Sequence, residues 1–133
     1  MTGTQAILPA TLPTPAQARN NLRACRNEVK EKTNVAEGMK DRLDAAKEEE
    51  KEAAAEVEQA ERDLLEADED SKEEKVASVA HHKAWRRLER ARLDKDKVKA
   101  TLKLARGEAR AAAKRLAAAR EDLEAIREGK RVK

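Results

Sequence analysis

Two heptad stripes constrain this chain more than any other feature. The first runs Leu22, Cys25, Val29, Lys32, Ala36, Met39, Leu43, Ala46, Glu50, Ala53, Val57, Ala60, Leu64 and Ala67. The second runs Glu74, Ala77, His81, Ala84, Leu88, Ala91, Lys95, Val98, Leu102, Ala105, Ala109, Ala112, Leu116, Ala119, Leu123 and Ile126. Steps of three and four, held over about six heptads each, are the period of a coiled-coil seam. Each stripe interleaves large apolar residues with alanine. With 43% charged and 1% aromatic residues, the chain lacks the large side chains that fill a compact core. All three prolines fall within the first fifteen residues, so little breaks a helix beyond them.

Capping signals divide the stripes into two helices. Thr14, Pro15 and Gln17 form a Thr-x-x-Gln capping box with proline at the first helical position, which starts helix one at about residue 15. Ser71 and Glu74 form a second box after the acidic stretch Asp68, Glu69 and Asp70. The seam also changes phase there, since the first stripe would next place a residue at 71 and the second begins at 74. A turn accounts for both observations, whereas one continuous helix would need a three-residue stammer. The expected fold is therefore all-α: a long antiparallel helical hairpin, a two-helix coiled coil with an alanine-rich seam. Helix one spans about 15–68, the turn 69–72 and helix two 72–128. Residues 1–14 form an extended arm containing proline, and 130–133 a basic tail after Gly129, which ends helix two.

Facing residue numbers in an antiparallel pair share a constant sum. A turn at Asp70 and Ser71 gives 141 and layers such as Leu22/Ala119, Ala53/Leu88 and Val57/Ala84, with large facing small. The next permitted sum, 148, pairs residues almost as well. Gly38 and Gly107 lie at nearly matching heights, which suggests a shared bend or a close backbone contact.

Residues 16–70 carry 10 Lys/Arg and 17 Asp/Glu, and residues 71–133 carry 20 and 10. The halves are expected to neutralise each other as neighbouring helices, which weakens the case for a nucleic-acid partner. The basic run from Arg86 to Arg115 lacks interleaved aromatics and any zinc-finger or RNA-binding pattern. No apolar run is long enough to span a membrane, and Pro9 and Pro13 break the N-terminal apolar stretch that a signal peptide would need. The expected location is the cytoplasm, or a particle assembled there. The single cysteine, Cys25, excludes an internal disulfide and sits on the seam as a small apolar group.

Chemistry-bearing constellations are lacking. The adjacent His81 and His82 have no partner ligands at helical spacing, and His81 reads as a seam histidine that could make stability pH-sensitive. No phosphate loop or nucleophile triad is present, so neither an enzyme nor a cofactor is expected. Lys32, Glu50 and Lys95 put charge on the seams, where it penalises wrong pairings; this marks them as candidate register-setting residues, with Glu50 and Lys95 close enough to pair. Off the seam, Leu65, Val76, Val79 and Trp85 cluster towards the turn, and Leu93 and Leu104 continue a thinner outer stripe. With Ile7, Leu8 and Leu12 of the arm, the turn cluster forms the candidate partner-binding set.

These features point to a non-enzymatic structural or assembly protein: a scaffold or minor subunit of a larger assembly such as a viral or phage particle. It would bind protein partners, or further copies of itself, through the arm and the hairpin tip. The alternatives are an adaptor or chaperone, and a basic nucleic-acid-associated protein. In general character the chain resembles small scaffolding, minor structural and secretion-chaperone proteins of viruses and bacteria, a likeness carried by no diagnostic motif.

Overall fold

The computed structural model describes residues 13–129, in which two helices, α1 (Pro15–Glu66) and α2 (Lys72–Arg127), pack against each other as an all-α hairpin. The start of α1 follows from its capping box. Thr14 N–H donates to Gln17 Oε1 at 3.0 Å, and Gln17 N–H donates to Thr14 Oγ1 at 3.2 Å. Two of the orphan donors at that end are thereby satisfied reciprocally. At the far end of α2, Gly129 adopts φ +70°, a left-handed conformation that glycine enters without steric penalty, and its N–H donates to Ile126 O at 3.1 Å.

The turn is built differently from the sequence expectation. α1 stops at Glu66, so the non-helical segment is 67–71. Asp70 takes φ 59°, a left-handed conformation that a helix cannot continue through. Ser71 donates both its N–H (3.2 Å) and its hydroxyl (2.6 Å) to the Asp68 carbonyl, while its Oγ accepts the Glu74 N–H at 3.1 Å. Because the Ser71 N–H is already used, Glu74 Oε1 accepts the Asp70 N–H instead, at 3.1 Å. The second capping box is thus shifted by one residue on its carboxylate side.

Every position of the two stripes is buried or half-buried. The chain divides into two compact units, a terminal unit (Met1–Ala36 with Ala105–Lys133) and a turn unit (Glu37–Leu104). In the turn unit Ala53, Val57, Ala60, Ala84, Leu88 and Ala91 form one buried cluster. In the terminal unit Ala18, Leu22, Leu116, Ala119 and Leu123 do so, with Cys25, Val29 and Ile126 packed against them. Residue numbers in the cross-helix ion pairs sum to between 136 (Arg87 with Glu49) and 145 (Lys95 with Glu50). These values bracket 141 and fall short of 148, so the register is the one that sets large against small residues.

The core is thin. Among the described residues only alanines, namely Ala18, Ala53, Ala84 and Ala112, are as little as 0–1% exposed, and no large side chain is fully enclosed. Gly38 and Gly107 do not mark a close contact, because a Cβ added at either would meet nothing within 4 Å.

Candidate interaction surfaces

The seam charges meet partners across the helices. Lys95 Nζ donates to Glu50 Oε1 at 2.8 Å, and Arg92 Nε lies 3.7 Å from Glu50 Oε2. The Lys95 hydrogen bond, opposed by partial burial and aided by the nearby Lys95, Arg92 and Lys99 charges, holds the Glu50 carboxyl below the usual carboxylate range. Lys32 does not join this pair. Its Nζ lies 3.8 Å from Glu108 in the terminal unit. A half-buried pair on the seam is lost if either helix slides by a heptad, which is the physical requirement for setting register.

Flanking positions supply further cross-helix pairs that the stripes alone did not single out. Arg87 lies beside the seam residue Leu88 and reaches three carboxylates of α1. Its Nε and Nη2 donate to Glu49 Oε1 at 3.0 and 2.8 Å, Nη1 pairs with Glu56, and Glu52 is 3.7 Å away. The hydrogen bonds to Glu49 and Glu56 raise its pKa. In the terminal unit Arg115 Nε donates to Glu28 Oε1 at 2.8 Å, lowering the Glu28 carboxyl and raising the guanidinium. Arg87, Glu49, Glu56, Arg115 and Glu28 each immediately precede a large seam position, where opposite charges conventionally meet. That spacing was legible in the sequence, provided the register was known.

The apolar residues towards the turn are exposed, Leu65 at 85%, Val76 at 69%, Val79 at 55% and Trp85 at 36%. Val76 and Val79 line a shallow groove with Lys75, Ala80 and Lys83. Val76 also borders a second groove lined by Asp63, Glu66, Ala67, Lys72, Glu73 and Ala77. Leu65 lines neither groove. Trp85 turns to the seam, where its Nε1–H donates to His81 Nε2 at 3.1 Å with the rings edge-on at 84°. The same His81 Nε2 lies 3.5 Å from Glu61. Leu93 and Leu104 are exposed at 60% and 71%. Ile7, Leu8 and Leu12 lie outside the described residues.

Among the described residues, no group of three His, Cys, Asp or Glu side chains converges as a metal ion would require. No described helix is long and apolar enough to cross a membrane. Charge is distributed by unit. The terminal unit carries 14 Lys/Arg and 7 Asp/Glu, a net +7, and the turn unit 16 and 20, a net −4. The expected neutralisation between helices is therefore confined to the turn unit. No family model, curated protein or solved structure matches this chain.

Proposed function

We propose that this chain is a non-enzymatic assembly component, a scaffold or minor structural subunit that completes its burial against protein partners, including further copies of itself. The thin seam carries this reading. Its most enclosed residues are all alanine, and each buries little apolar area, while ordering over a hundred residues has a large entropic cost. Exposed Val76 and Val79 in the turn unit, with the arm residues Ile7, Leu8 and Leu12, are the surfaces offered for contact. The described grooves are shallow, which suits docking of side chains better than enclosure of a small substrate. A cytoplasmic site, or the interior of a particle assembled there, fits this role.

Sedimentation velocity of the purified chain tests the reading. Concentration-dependent association supports it, and a monomer at all concentrations that captures no partner removes it. Val76→Ser/Val79→Ser, which removes the exposed apolar surface of the turn unit, is expected to weaken association while leaving helical circular dichroism unchanged. The second reading, a nucleic-acid-associated protein, is favoured by the net +7 of the terminal unit. Retention on duplex DNA at about 0.15 M salt, falling steeply as salt rises, would support that reading instead.

A further inference from the structure

The terminal unit contains a groove lined by three arginines that make no ion pair among the described residues. Arg26 on α1 and Arg120 and Arg127 on α2 line it, over the floor residues Leu22 and Leu123, with Glu124 and Glu128 at its edge. None of the three guanidiniums makes an ion pair among the described residues, although Arg115 and Arg87 show how readily this chain forms them. Three desolvatable guanidiniums on apolar stems form a surface suited to carboxylates presented on a protein.

The turn unit presents the complement. Its groove beside the exposed Val76 is lined by Asp63, Glu66 and Glu73, with Lys72 as the single cation. Glu66, Glu69 and Glu73 have no ion-pair partner among the described residues. One surface is mostly cationic with two carboxylates, and the other is mostly anionic with one lysine. A uniform polyanion such as nucleic acid carries no cation to meet Glu124, as Lys72 of the turn does, and the only aromatic available for stacking, Trp85, is in the other unit.

We propose that the arginine groove of the terminal unit receives the acidic turn of a second copy of this chain. The contact is heterologous, because groove and turn are different surfaces, so a bound pair still offers one free groove and one free turn. Such contacts build open chains unless their rotation closes a ring. Because they rest on exposed charge, they weaken as salt shortens the screening length from about 10 Å at 0.1 M to about 3 Å at 1 M. The proposal rests on the assembly reading and specifies which surfaces carry it.

Charge exchange tests it by sedimentation velocity on the full chain, freed of nucleic acid, with helicity monitored by circular dichroism. At low salt the wild type should show at least about a doubling of weight-average mass that reverses near 1 M salt. Arg26→Glu/Arg120→Glu/Arg127→Glu should lose that increase, as should Asp63→Lys/Glu66→Lys/Glu69→Lys. Mixing the two variants should restore it, because each then meets a complementary partner. The milder Arg26→Gln/Arg120→Gln/Arg127→Gln repeats the test should charge reversal disturb folding. Wild-type association that persists in the groove variants overturns the head-to-tail contact and leaves the assembly reading standing. A wild type that is monomeric at every salt concentration overturns the proposal, and the assembly reading falls with it only if the chain also captures no other protein. Association appearing only when duplex DNA is added overturns the proposal in favour of a nucleic-acid partner.

Discussion

In the turn unit an acidic stretch of α1 lies beside a basic stretch of α2: residues 37–70 carry 5 Lys/Arg and 15 Asp/Glu, and residues 71–104 carry 11 and 5. In the terminal unit both stretches are basic, with 5 against 2 in residues 1–36 and 9 against 5 in residues 105–133. The seam has the same period and the same large-against-small layers in both. What differs is the flanks, which reach multiple carboxylates around Arg87 in one unit and leave Arg26, Arg120 and Arg127 without an ion pair among the described residues in the other. Seam and flank are therefore separable layers of this design. The seam holds the helices together, and the flanks determine which charge remains for other molecules.

The largest expected effect comes from the seam. Leu88, 2% exposed within the turn-unit cluster, should lose about 2–4 kcal/mol on replacement by alanine, from lost transfer energy and a residual cavity. Leu116→Ala in the terminal unit should lose less, because Leu116 is already 9% exposed and its site can admit water. Urea denaturation of both variants compares them, and equal losses would show that the units do not differ in seam quality.

The two caps sharpen the contrast at a smaller scale. Ser71→Ala should lose about 1–2 kcal/mol, because the hydroxyl both accepts the Glu74 N–H and donates to the Asp68 carbonyl. Thr14→Ala removes a single acceptor at a helix end and should lose under about 1 kcal/mol. Thermal melts followed at 222 nm would rank them, and a larger loss from Thr14→Ala would contradict this order.

Glycine replacement should act with the opposite sign. Gly38→Ala in the turn unit and Gly107→Ala in the terminal unit each meet open space within a helix, so each should gain up to about 1 kcal/mol. A loss at either position would show a constraint specific to that unit.

Acid should have the mildest effect, through exposed or half-exposed pairs. Glu50 in the turn unit and Glu28 in the terminal unit are both held below the ordinary carboxylate range by hydrogen bonds from Lys95 and Arg115. A folded-state pKa below the unfolded one contributes stability that is fully present above the unfolded value of about 4.3 and is lost as pH falls through the folded value. The melting temperature should therefore decline below about pH 4, and Glu50→Gln should flatten part of that decline. An unchanged slope in the variant would remove the Glu50–Lys95 pair from the account.

Much of this was legible in the residues themselves. All thirty seam positions read from three-four spacing are buried or half-buried, because the helical period depends only on neighbouring residues along the chain. The Thr14 box formed as its spacing implied, for the same reason. The candidate site was legible only in part. Leu65, Val76, Val79 and Trp85 read as one tip cluster; all four are exposed, Val76 and Val79 line one groove, and the bond from Trp85 to the seam residue His81 is not legible from spacing alone. The glycine pair suggested close approach where the backbone has space to spare.

Sequence by itself determined the helices, the buried stripe on each and the place where the chain reverses, since all three follow from local period and capping. The tertiary structure decided the register, the shift of the Glu74 carboxylate to the Asp70 N–H and the pairing of charges. Heptad spacing repeats every seven residues and cannot choose among registers that differ by a heptad. That choice depends on which large residues face alanine and which cations face carboxylates across the seam, and only the folded pair brings those residues together.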